Sequence, residues 1–498
     1  MAWKLIHRSF GFALEGSAQD DIRGGPQRFV GIRLLGLALV VAAIWATTAQ
    51  AQDVQAQDAP PNLLVVIADD ASAGDFGAYG HPTIQTPTLD ALADAGWTAE
   101  RAYLTSPQCS PSRASILSGQ YPHEVDAEDL HMPVPEDVRL VPSYLADAGY
   151  ATGVLQKVHL GPHGEAQFDF VGPTVADFNA FLDQTGGRPF FLWVGFTDPH
   201  RPYGDAPNVH APEDVVLPPT VIDTPETRAD YVQYYDEIAR MDGVIGGYLD
   251  ELEQRGLRDN TVVVFLSDNG APMPRAKGTL YDAGIQTPLI IAGPGVPQGV
   301  GYDGLVSVID LAPTLLDWAG VPVPDAFRGA SIAGVIADLT QPGRERVFFQ
   351  RDWHNADEHL RGLRTDRWKF IWNNYTEHPH GSPSDITASP TWQALRAARD
   401  AGTLTPAQAR LFEVPRPRVE LYNLAADPHE LTNLAGDPAL RDTVQALFAE
   451  LQAWRTRTGD APPHHRRRDD NIDRVTGQKY WGVRTPPFLS EESSTSND

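Results

Sequence analysis

The sequence is poor in cysteine and in basic residues. Its 498 residues include one cysteine, Cys109, and a lone thiol cannot form an internal disulfide. Cys109 is therefore either an inert buried side chain or a reactive group. Lys and Arg number 39 against 65 Asp and Glu, which gives a formal net charge of −26. This charge argues against nucleic acid as a partner, because binding its phosphates requires a basic surface.

Long apolar runs are also scarce. One run covers residues 34–46, follows Arg28 and Arg33, and leads to the small-x-small sequence at 49–51. This pattern predicts a signal peptide within an unusually long N-terminal extension, residues 1–51. No later stretch approaches the roughly 20 apolar residues of a membrane-spanning helix. We therefore expect an exported protein, periplasmic or secreted, with no membrane association once the signal is removed.

Short apolar runs rich in β-branched residues alternate with helical patterns along the chain. Strands are predicted at residues 62–68, 190–196, 262–266 and 289–292. Helices are predicted at residues 87–96, 228–252 and 308–319. Strands that alternate with helices indicate an α/β fold with a large, mostly parallel sheet flanked by helices. A chain of this length, with 42% hydrophobic residues, is large enough for more than one domain.

A second region begins near residue 344. Strand patterns at 346–350 and 368–372 precede a helix pattern at 440–456. We assign residues 60–343 to a catalytic domain and residues 344–485 to a C-terminal subdomain. Residues 486–498 are predicted to form a disordered tail.

Acidic and amide side chains follow two of the predicted strands. Asp69 and Asp70 come directly after the strand at 62–68, and Asp268 and Asn269 follow the strand at 262–266. Adjacent acids alone are more often a helix cap or a solvated loop. In parallel sheets, however, ligands bind beyond the carboxyl ends of the strands. Together the four side chains supply oxygen ligands of the kind that suits Ca²⁺ or Mg²⁺.

Cys109 lies in the sequence CSPSR at 109–113, followed by ASILSG at 114–119. This run resembles the signature of the type I sulfatases, in which an accessory maturating enzyme oxidises the cysteine to formylglycine. The resemblance implies that Cys109 is a precursor. Its formylglycine would hydrate to a gem-diol whose one hydroxyl attacks sulfur and whose other later expels the sulfate. The resemblance also implies an alkaline-phosphatase-like fold with a small antiparallel sheet in the C-terminal subdomain.

Three further segments are similar to motifs of this family: KVHLG at 157–161, DPHRP at 198–202 and KGTLYDAG at 277–284. The resemblance implies that Lys157 holds the gem-diol and sulfate charge and that His159 acts as a base. His200 and Lys277 would then bind the sulfate and the leaving oxygen.

The resemblance also gives roles to the strand-end acids and to Arg113. Arg113 would orient the modified residue at position 109. One divalent cation, generally calcium in this family, would bind Asp69, Asp70, Asp268 and Asn269, together with the formylglycine from Cys109.

The resemblance covers residues 61–438, with five separated motifs in the family's order. Within the family, the wording of residues 109–119, 157–162, 187–201 and 389–393 is most similar to the heparan N-sulfatase (sulfamidase) group. Animal members of that group carry arginine where Lys277 stands, whereas lysine is typical of sulfatases that cleave O-sulfate esters. We therefore expect a sulfatase that hydrolyses sulfate esters of a sulfated carbohydrate.

Three alternatives stay open from the sequence. They are an N-sulfoglucosamine sulfohydrolase-like activity, a phosphonate or phosphate ester hydrolase on the same fold, and a noncatalytic sulfated-glycan binder. Arg201, His354, His359 and His380 are candidates for the substrate pocket and are equally consistent with ordinary surface residues.

Overall fold

The computed structural model describes residues 60–463. The predicted signal region at 1–51, residues 464–485 of the predicted subdomain and the predicted tail at 486–498 lie outside the described residues. Among residues 60–463, no helix combines the length and the apolar character needed to cross a membrane.

Residues 60–343 form the larger of two sheets and the helices around it. In chain order the elements are β1 (Asn62–Ala68), α1 (Pro87–Asp94), β2 (Trp97–Tyr103), α2 (Cys109–Ser118), α3 (Val141–Asp147), β3 (Ala151–Gln156), α4 (Gly161–Glu165), β4 (Phe170–Gly172), α5 (Phe178–Gln184), β5 (Phe190–Gly195), α6 (Pro225–Gln254), β6 (Thr261–Ser267), α7 (Asp282–Ile285), β7 (Gln286–Thr287), β8 (Leu289–Ala292), β9 (Val300–Ser307), α8 (Leu311–Trp318) and α9 (Ala333–Ala337).

The remaining elements belong to the second sheet and its surroundings. They are β10 (Arg346–Arg351), β11 (Leu360–Thr365), β12 (Trp368–Asn373), α10 (Ser384–Thr387), α11 (Pro390–Asp400), α12 (Pro406–Ala409), β13 (Val419–Asn423) and α13 (Arg441–Thr458).

The large sheet has the strand order β4-β3-β5-β1-β6-β8-β2-β7, with β9 paired to β2. The five strands β4, β3, β5, β1 and β6 are all parallel. Strand β8 is antiparallel to both of its neighbours, so the sheet is mixed on that side. The prediction of a large, mostly parallel sheet is confirmed for the part that carries the strand-end acids.

Both faces of the parallel strands are buried. In β1, Leu63 and Val65 pack into one hydrophobic cluster, and Leu64 and Val66 pack into a second cluster on the opposite face. Successive side chains of a strand point to opposite faces, so a strand that is covered on both sides must be apolar at every position. This explains why the parallel strands appear in the sequence as uninterrupted apolar runs.

The second sheet is antiparallel, with the order β10-β11-β12-β13, as the predicted C-terminal sheet requires. Helix α13 lies on it and buries Leu451 and Trp454 against the sheet side chains. The rings of Trp454 and Phe348 stack with centroids 5.2 Å apart. This small apolar cluster holds the helix on the sheet.

The predicted helices differ in extent from the observed ones, most of all at 228–252 and 308–319. The helix at 228–252 is part of the longer α6, which begins after Thr224, whose side chain accepts a hydrogen bond from the Thr227 N–H. Pro225 occupies the first helical position, where its missing N–H costs no hydrogen bond. The helix predicted at 308–319 begins as a short 3₁₀ turn and becomes α-helical at α8.

We predict that Leu451→Ala lowers the free energy of unfolding by about 2–5 kcal/mol, because it leaves a cavity between α13 and the second sheet. Urea unfolding followed by tryptophan fluorescence measures this loss. Gln445→Ala, an exposed position on the same helix, is the matched control and should leave stability unchanged. Equal midpoints for the two variants would show that this interface contributes little.

Candidate active site

The parallel register brings the strand-end acids together. Strands β1 and β6 are neighbours, and Ala68 lies opposite Ser267 at their carboxyl ends. The residues that follow, Asp69 and Asp268, therefore emerge side by side at one edge of the sheet. The Asp70 N–H donates to Asp268 Oδ1 at 3.2 Å, and the two carboxylates are fully buried.

Asp70 and Asn269 form a second contact between the same two strand ends. Asn269 Nδ2 donates to Asp70 Oδ1 at 2.7 Å. Asp70 has a φ of 76°, a left-handed backbone conformation that is uncommon for a residue other than glycine. Such strained positions are concentrated at functional sites, where the surrounding structure holds them.

Arg113 connects three strand ends. Its Nε donates to Asp268 Oδ2 at 2.7 Å, and its Nη1 donates to the Lys157 carbonyl at 2.5 Å. Its Nη2 lies 3.9 Å from Asp69 Oδ2 and has no hydrogen-bond partner among the described residues. Glycine is required at Gly195, because a Cβ there would lie 1.8 Å from the Lys157 carbonyl oxygen and 2.8 Å from Arg113 Nη1. The side chain of Arg113 thus braces the ends of β1, β3 and β6.

Cys109 is the first residue of α2 and is 3% exposed. Its Sγ lies 3.5 Å from Asp69 Oδ1 and 4.0 Å from Asp70 Oδ1. Burial raises the pKa of the thiol well above its usual value, although Lys277 and Lys157 oppose that rise. The thiol is therefore protonated at neutral pH, whereas reactive cysteines are thiolates with lowered pKa values.

Two lysines contact Asp69 and Asp70. Lys157 follows β3, and its Nζ donates to Asp69 Oδ2. Lys277 is 2% exposed, and its Nζ donates to Asp70 Oδ2 at 2.7 Å and to Asp385 Oδ2 at 3.0 Å. These cations compensate carboxylates that are too deeply buried for water to solvate.

The buried charges shift one another's pKa values. Burial would raise the pKa of Asp69, but Lys157 and Arg113 hold it well below its usual range. Burial, reinforced by repulsion from Asp69, raises the pKa of Asp268 against the opposing effect of Arg113. Two carboxylates at one strand edge therefore resist simultaneous ionisation unless positive charge is close by.

His159 follows β3 and has a φ of 63°. Burial, followed by repulsion from Lys157 and Arg113, lowers the pKa of His159 to about 3, so its imidazole is neutral at pH 7. Its Nδ1 is buried without a hydrogen-bond partner among residues 60–463. The centroids of the His159 and His131 rings lie 4.8 Å apart, and the sequence motifs did not indicate His131 as a neighbour.

His200 lies close to Asp70. Its Nδ1 donates to the Arg201 carbonyl, so the Nε2 atom faces the site. Nε2 lies 3.8 Å from Asp70 Oδ2 and 3.8 Å from Asp385 Oδ2. The loop that carries His200 is held by Arg240, which donates two hydrogen bonds to the Asp198 carboxylate.

The donor set fits a hard divalent cation. Ligand atoms of Asp69, Asp70, Cys109 and His200 lie within 4.8 Å of one another. Beside them, Asn269 Oδ1 is buried without a hydrogen-bond donor in the described part of the chain. Carboxylate and amide oxygens are the ligands that Ca²⁺ and Mg²⁺ prefer, whereas the Cys109 thiol and the His200 imidazole suit softer metals. Asp268, also predicted as a ligand, is engaged by Arg113.

The four pocket candidates have different environments. Arg201 forms two hydrogen bonds with the Asp230 carboxylate, at 2.6 and 2.7 Å, and this ion pair is largely buried. His359 is fully buried next to Trp372 of the second sheet. His380 contacts Arg351. His354 is the candidate that lies near Lys277. Burial, and then the charge of Lys277, lower the pKa of His354 well below its usual value.

The sequence motifs did not indicate Asp385. It lies in the four-residue helix α10, where no periodic pattern marks it, and it contacts Lys277 from 108 residues away in the chain. Burial raises its pKa, but Lys277 outweighs that effect and brings it to about 2. Its carboxylate is therefore ionised at neutral pH.

We predict that Arg201→Ala lowers the free energy of unfolding by about 3–5 kcal/mol, because it leaves the Asp230 carboxylate buried and unpaired. Thermal or denaturant unfolding measures this loss. Arg399→Ala, which removes an exposed pair with Asp400, is the control and should change stability by less than about 1 kcal/mol. If Arg201 served only to bind substrate, its variant would instead retain full stability and raise KM.

Comparison with known proteins identifies the family. The Sulfatase family profile matches residues 61–174 and 171–321, and the profile described as "N-sulphoglucosamine sulphohydrolase, C-terminal" matches residues 276–391. Human N-sulphoglucosamine sulphohydrolase is 33% identical, over 80% of this chain and 91% of the relative. An ulvan-active sulfatase of Formosa agariphila is 28% identical, over 88% of this chain and 81% of the relative.

Solved structures share the fold. A protein in complex with its substrate D-glucosamine-2-N,6-O-disulfate superposes with a TM-score of 0.62 at 21% identity, covering 80% of this chain and 98% of its own. The phosphonate monoester hydrolase of Agrobacterium radiobacter has a TM-score of 0.62 at 18% identity, covering 80% and 96%. The alkaline-phosphatase-like sulfatase fold expected from the motifs is confirmed. From the profile matches and the human relative, the chain belongs to the sulfatase family of sulfuric ester hydrolases.

Proposed function

We propose that this protein hydrolyses a sulfate ester of a sulfated carbohydrate, with formylglycine made from Cys109 and one calcium ion. The observation that carries the proposal is the convergence of Arg113, Lys157 and Lys277 on the acids around Cys109. Relatives that act on ulvan and on N-sulphoglucosamine support a carbohydrate substrate.

The fixed cations would supply the electrostatic part of catalysis. Arg113, Lys157 and Lys277 are held by the buried acids, so they need no reorganisation when a sulfate group binds. Preorganised donors act more strongly in a water-excluded site than in solution. In comparable sites each donor contributes roughly 2.7–4 kcal/mol to transition-state stabilisation.

Formylglycine at position 109 would supply the nucleophilic hydroxyl that the buried thiol does not. The raised pKa of Cys109 supports this assignment, because a protonated thiol is a poor nucleophile. Conversion also replaces the sulfur of Cys109 by oxygen, which suits the same hard cation. A formylglycine-generating or other maturating enzyme is therefore the proposed protein partner.

Asp69, Asp70, Asp268 and Asn269 would hold the calcium ion, and its charge would polarise the bound sulfate. The position of these four side chains at two adjacent strand ends supports the assignment. His200, which faces Asp70, is proposed to contact the bound sulfate group. The neutral His159 is proposed to accept a proton when sulfate is released.

A second candidate is the hydrolysis of an N-sulfo group on glucosamine. Two findings favour it: the human relative is an N-sulphoglucosamine sulphohydrolase, and the C-terminal profile carries the same description. A panel of defined sulfated mono- and oligosaccharides that includes one N-sulfated member separates the two candidates. Release of sulfate from the N-sulfated sugar alone would favour the second candidate.

Export is part of the proposal. The basic residues, the apolar run and the small-x-small sequence before residue 52 support a signal peptide. A periplasmic or secreted enzyme would also meet polysaccharide fragments directly.

We predict that Cys109→Ala and Cys109→Ser both abolish sulfate release from the carbohydrate panel while the thermal unfolding midpoint stays close to that of the parent. Alanine cannot be oxidised to an aldehyde at this position, and unconverted serine supplies one hydroxyl where the mechanism needs two. Ion chromatography of released sulfate measures activity, and intact mass of the parent checks conversion of Cys109. Turnover by the alanine variant, or by a serine variant whose intact mass shows unconverted serine, would refute the formylglycine assignment when the protein comes from a host without sulfatases. An active parent that retains cysteine would refute it as well.

We predict that Asp268→Asn and Asp268→Ala weaken calcium binding and reduce activity together. Each variant removes a carboxylate oxygen from the proposed ligand set. Calorimetric titration of chelator-treated protein with calcium measures binding, and Asp223→Asn, an exposed position, is the control. A variant that binds calcium as the parent does would exclude Asp268 as a ligand.

A further inference from the structure

Asp385 enters the catalytic cluster from the region of the second sheet. Its Oδ2 atom accepts the Lys277 hydrogen bond at 3.0 Å and lies 3.8 Å from His200 Nε2. The Asp385 side chain is 17% exposed, whereas that of Lys277 is 2% exposed. The Asp385 side chain is therefore the more accessible of the two.

The backbone around Asp385 is held against the loop that carries Lys277. The Ser384 N–H donates to Asn355 Oδ1 at 3.1 Å. Pro383 packs on Gly278, where an added Cβ would lie 3.1 Å from the proline Cδ. Gly278 has a φ of 78°, which also favours glycine at this point of close approach. Asp385 is thus fixed relative to the lysine.

Two carboxylates orient the Lys277 ammonium. An ammonium group has three N–H donors, and Asp70 and Asp385 accept two of them, at 2.7 and 3.0 Å. In the described part of the chain no acceptor takes the third N–H. With two donors fixed, the third has a defined direction.

A negative charge in this position opposes substrate binding. The substrate of a sulfatase is an anion, and like charges a few ångströms apart in a poorly solvated site repel strongly. Asp385 is ionised at neutral pH, since the adjacent Lys277 outweighs the effect of burial on its pKa. A carboxylate at this site therefore costs affinity for the substrate, and its contact with Lys277 is the interaction that offsets this cost.

We propose that Asp385 is a positioning residue that aims the Lys277 ammonium at the leaving oxygen of the sulfate ester, an inference that rests on the proposed sulfatase function. In that reaction the bond between sulfur and the sugar oxygen breaks, and its electron pair stays on the sugar oxygen. One water molecule is consumed overall, which supplies an oxygen to the released sulfate and a proton to the released alcohol. The third Lys277 N–H stabilises the sugar oxygen while its charge develops.

The test is Asp385→Asn in the full-length, formylglycine-containing enzyme, assayed on a carbohydrate sulfate and on p-nitrophenyl sulfate. We expect kcat on the carbohydrate ester to fall by about 10²-fold, since an alkoxide leaving group needs the donor. The loss on the aryl ester should be much smaller, because nitrophenolate leaves without help. Inorganic sulfate should inhibit the variant more tightly than the parent, because one opposing charge is gone.

Asp385→Ala is the second variant and carries the same expectations, and Asp223→Asn is the matched control that changes an exposed aspartate. An equal loss on both leaving groups, or weaker inhibition by sulfate, would overturn the proposal and assign Asp385 a merely structural role. If the parent enzyme releases no sulfate from any ester, the proposed function fails first.

A double-mutant comparison tests whether Asp385 acts through Lys277. In a Lys277→Met background, Asp385→Asn should cause no further leaving-group-dependent loss, because the donor that it orients is absent. A full additional loss in that background would show that Asp385 acts through a different group and would overturn the assignment.

Discussion

The structure depends on placing several buried carboxylates at one edge of a sheet. The parallel pairing of β1 with β6 makes this unavoidable, because strands in register deliver Asp69 and Asp268 to the same place. Buried like charges are costly unless cations compensate them. Arg113 and Lys157 meet that requirement from α2 and from the end of β3. The stability of this edge of the sheet therefore depends on having the acids and their cations present together.

Under the proposed function, that set of charges would have two uses. The acids that hold the cations in place would also bind the metal ion, and the cations would bind the sulfate group. Lys277 extends the arrangement toward the second sheet through Asp385. The site is therefore built by both parts of the described chain, although most of its motifs come from the large sheet.

The sequence predicts the parallel strands well because burial on both faces makes them continuous apolar runs. The observed β1 has the predicted bounds, and β6 extends its prediction by one residue at each end. Strand β2, with the sequence WTAERAY, was not predicted because its polar residues interrupt the pattern. The strand-end positions of the acids followed from the same runs, so the core of the site was also predictable.

Contacts between distant segments could not be read from the sequence. Arg113 and Arg201 both follow proline-containing motifs, yet Arg113 faces the cluster and Arg201 faces Asp230 on α6. The partner of each arginine depends on which acidic side chain folding brings close to it. Asp385 was missed for the same reason, because its contact with Lys277 exists only once the second sheet has docked.

The burial of Cys109 also bears on when the proposed modification could occur. In the folded protein Cys109 begins α2, its Sγ lies against Asp69 and Asp70, and 3% of the residue is accessible. Arg113, in the motif around Cys109, is fully buried as well. Under the proposed function, oxidation of Cys109 would therefore have to precede folding. A chain that folded first would be correctly shaped and would keep an inactive thiol.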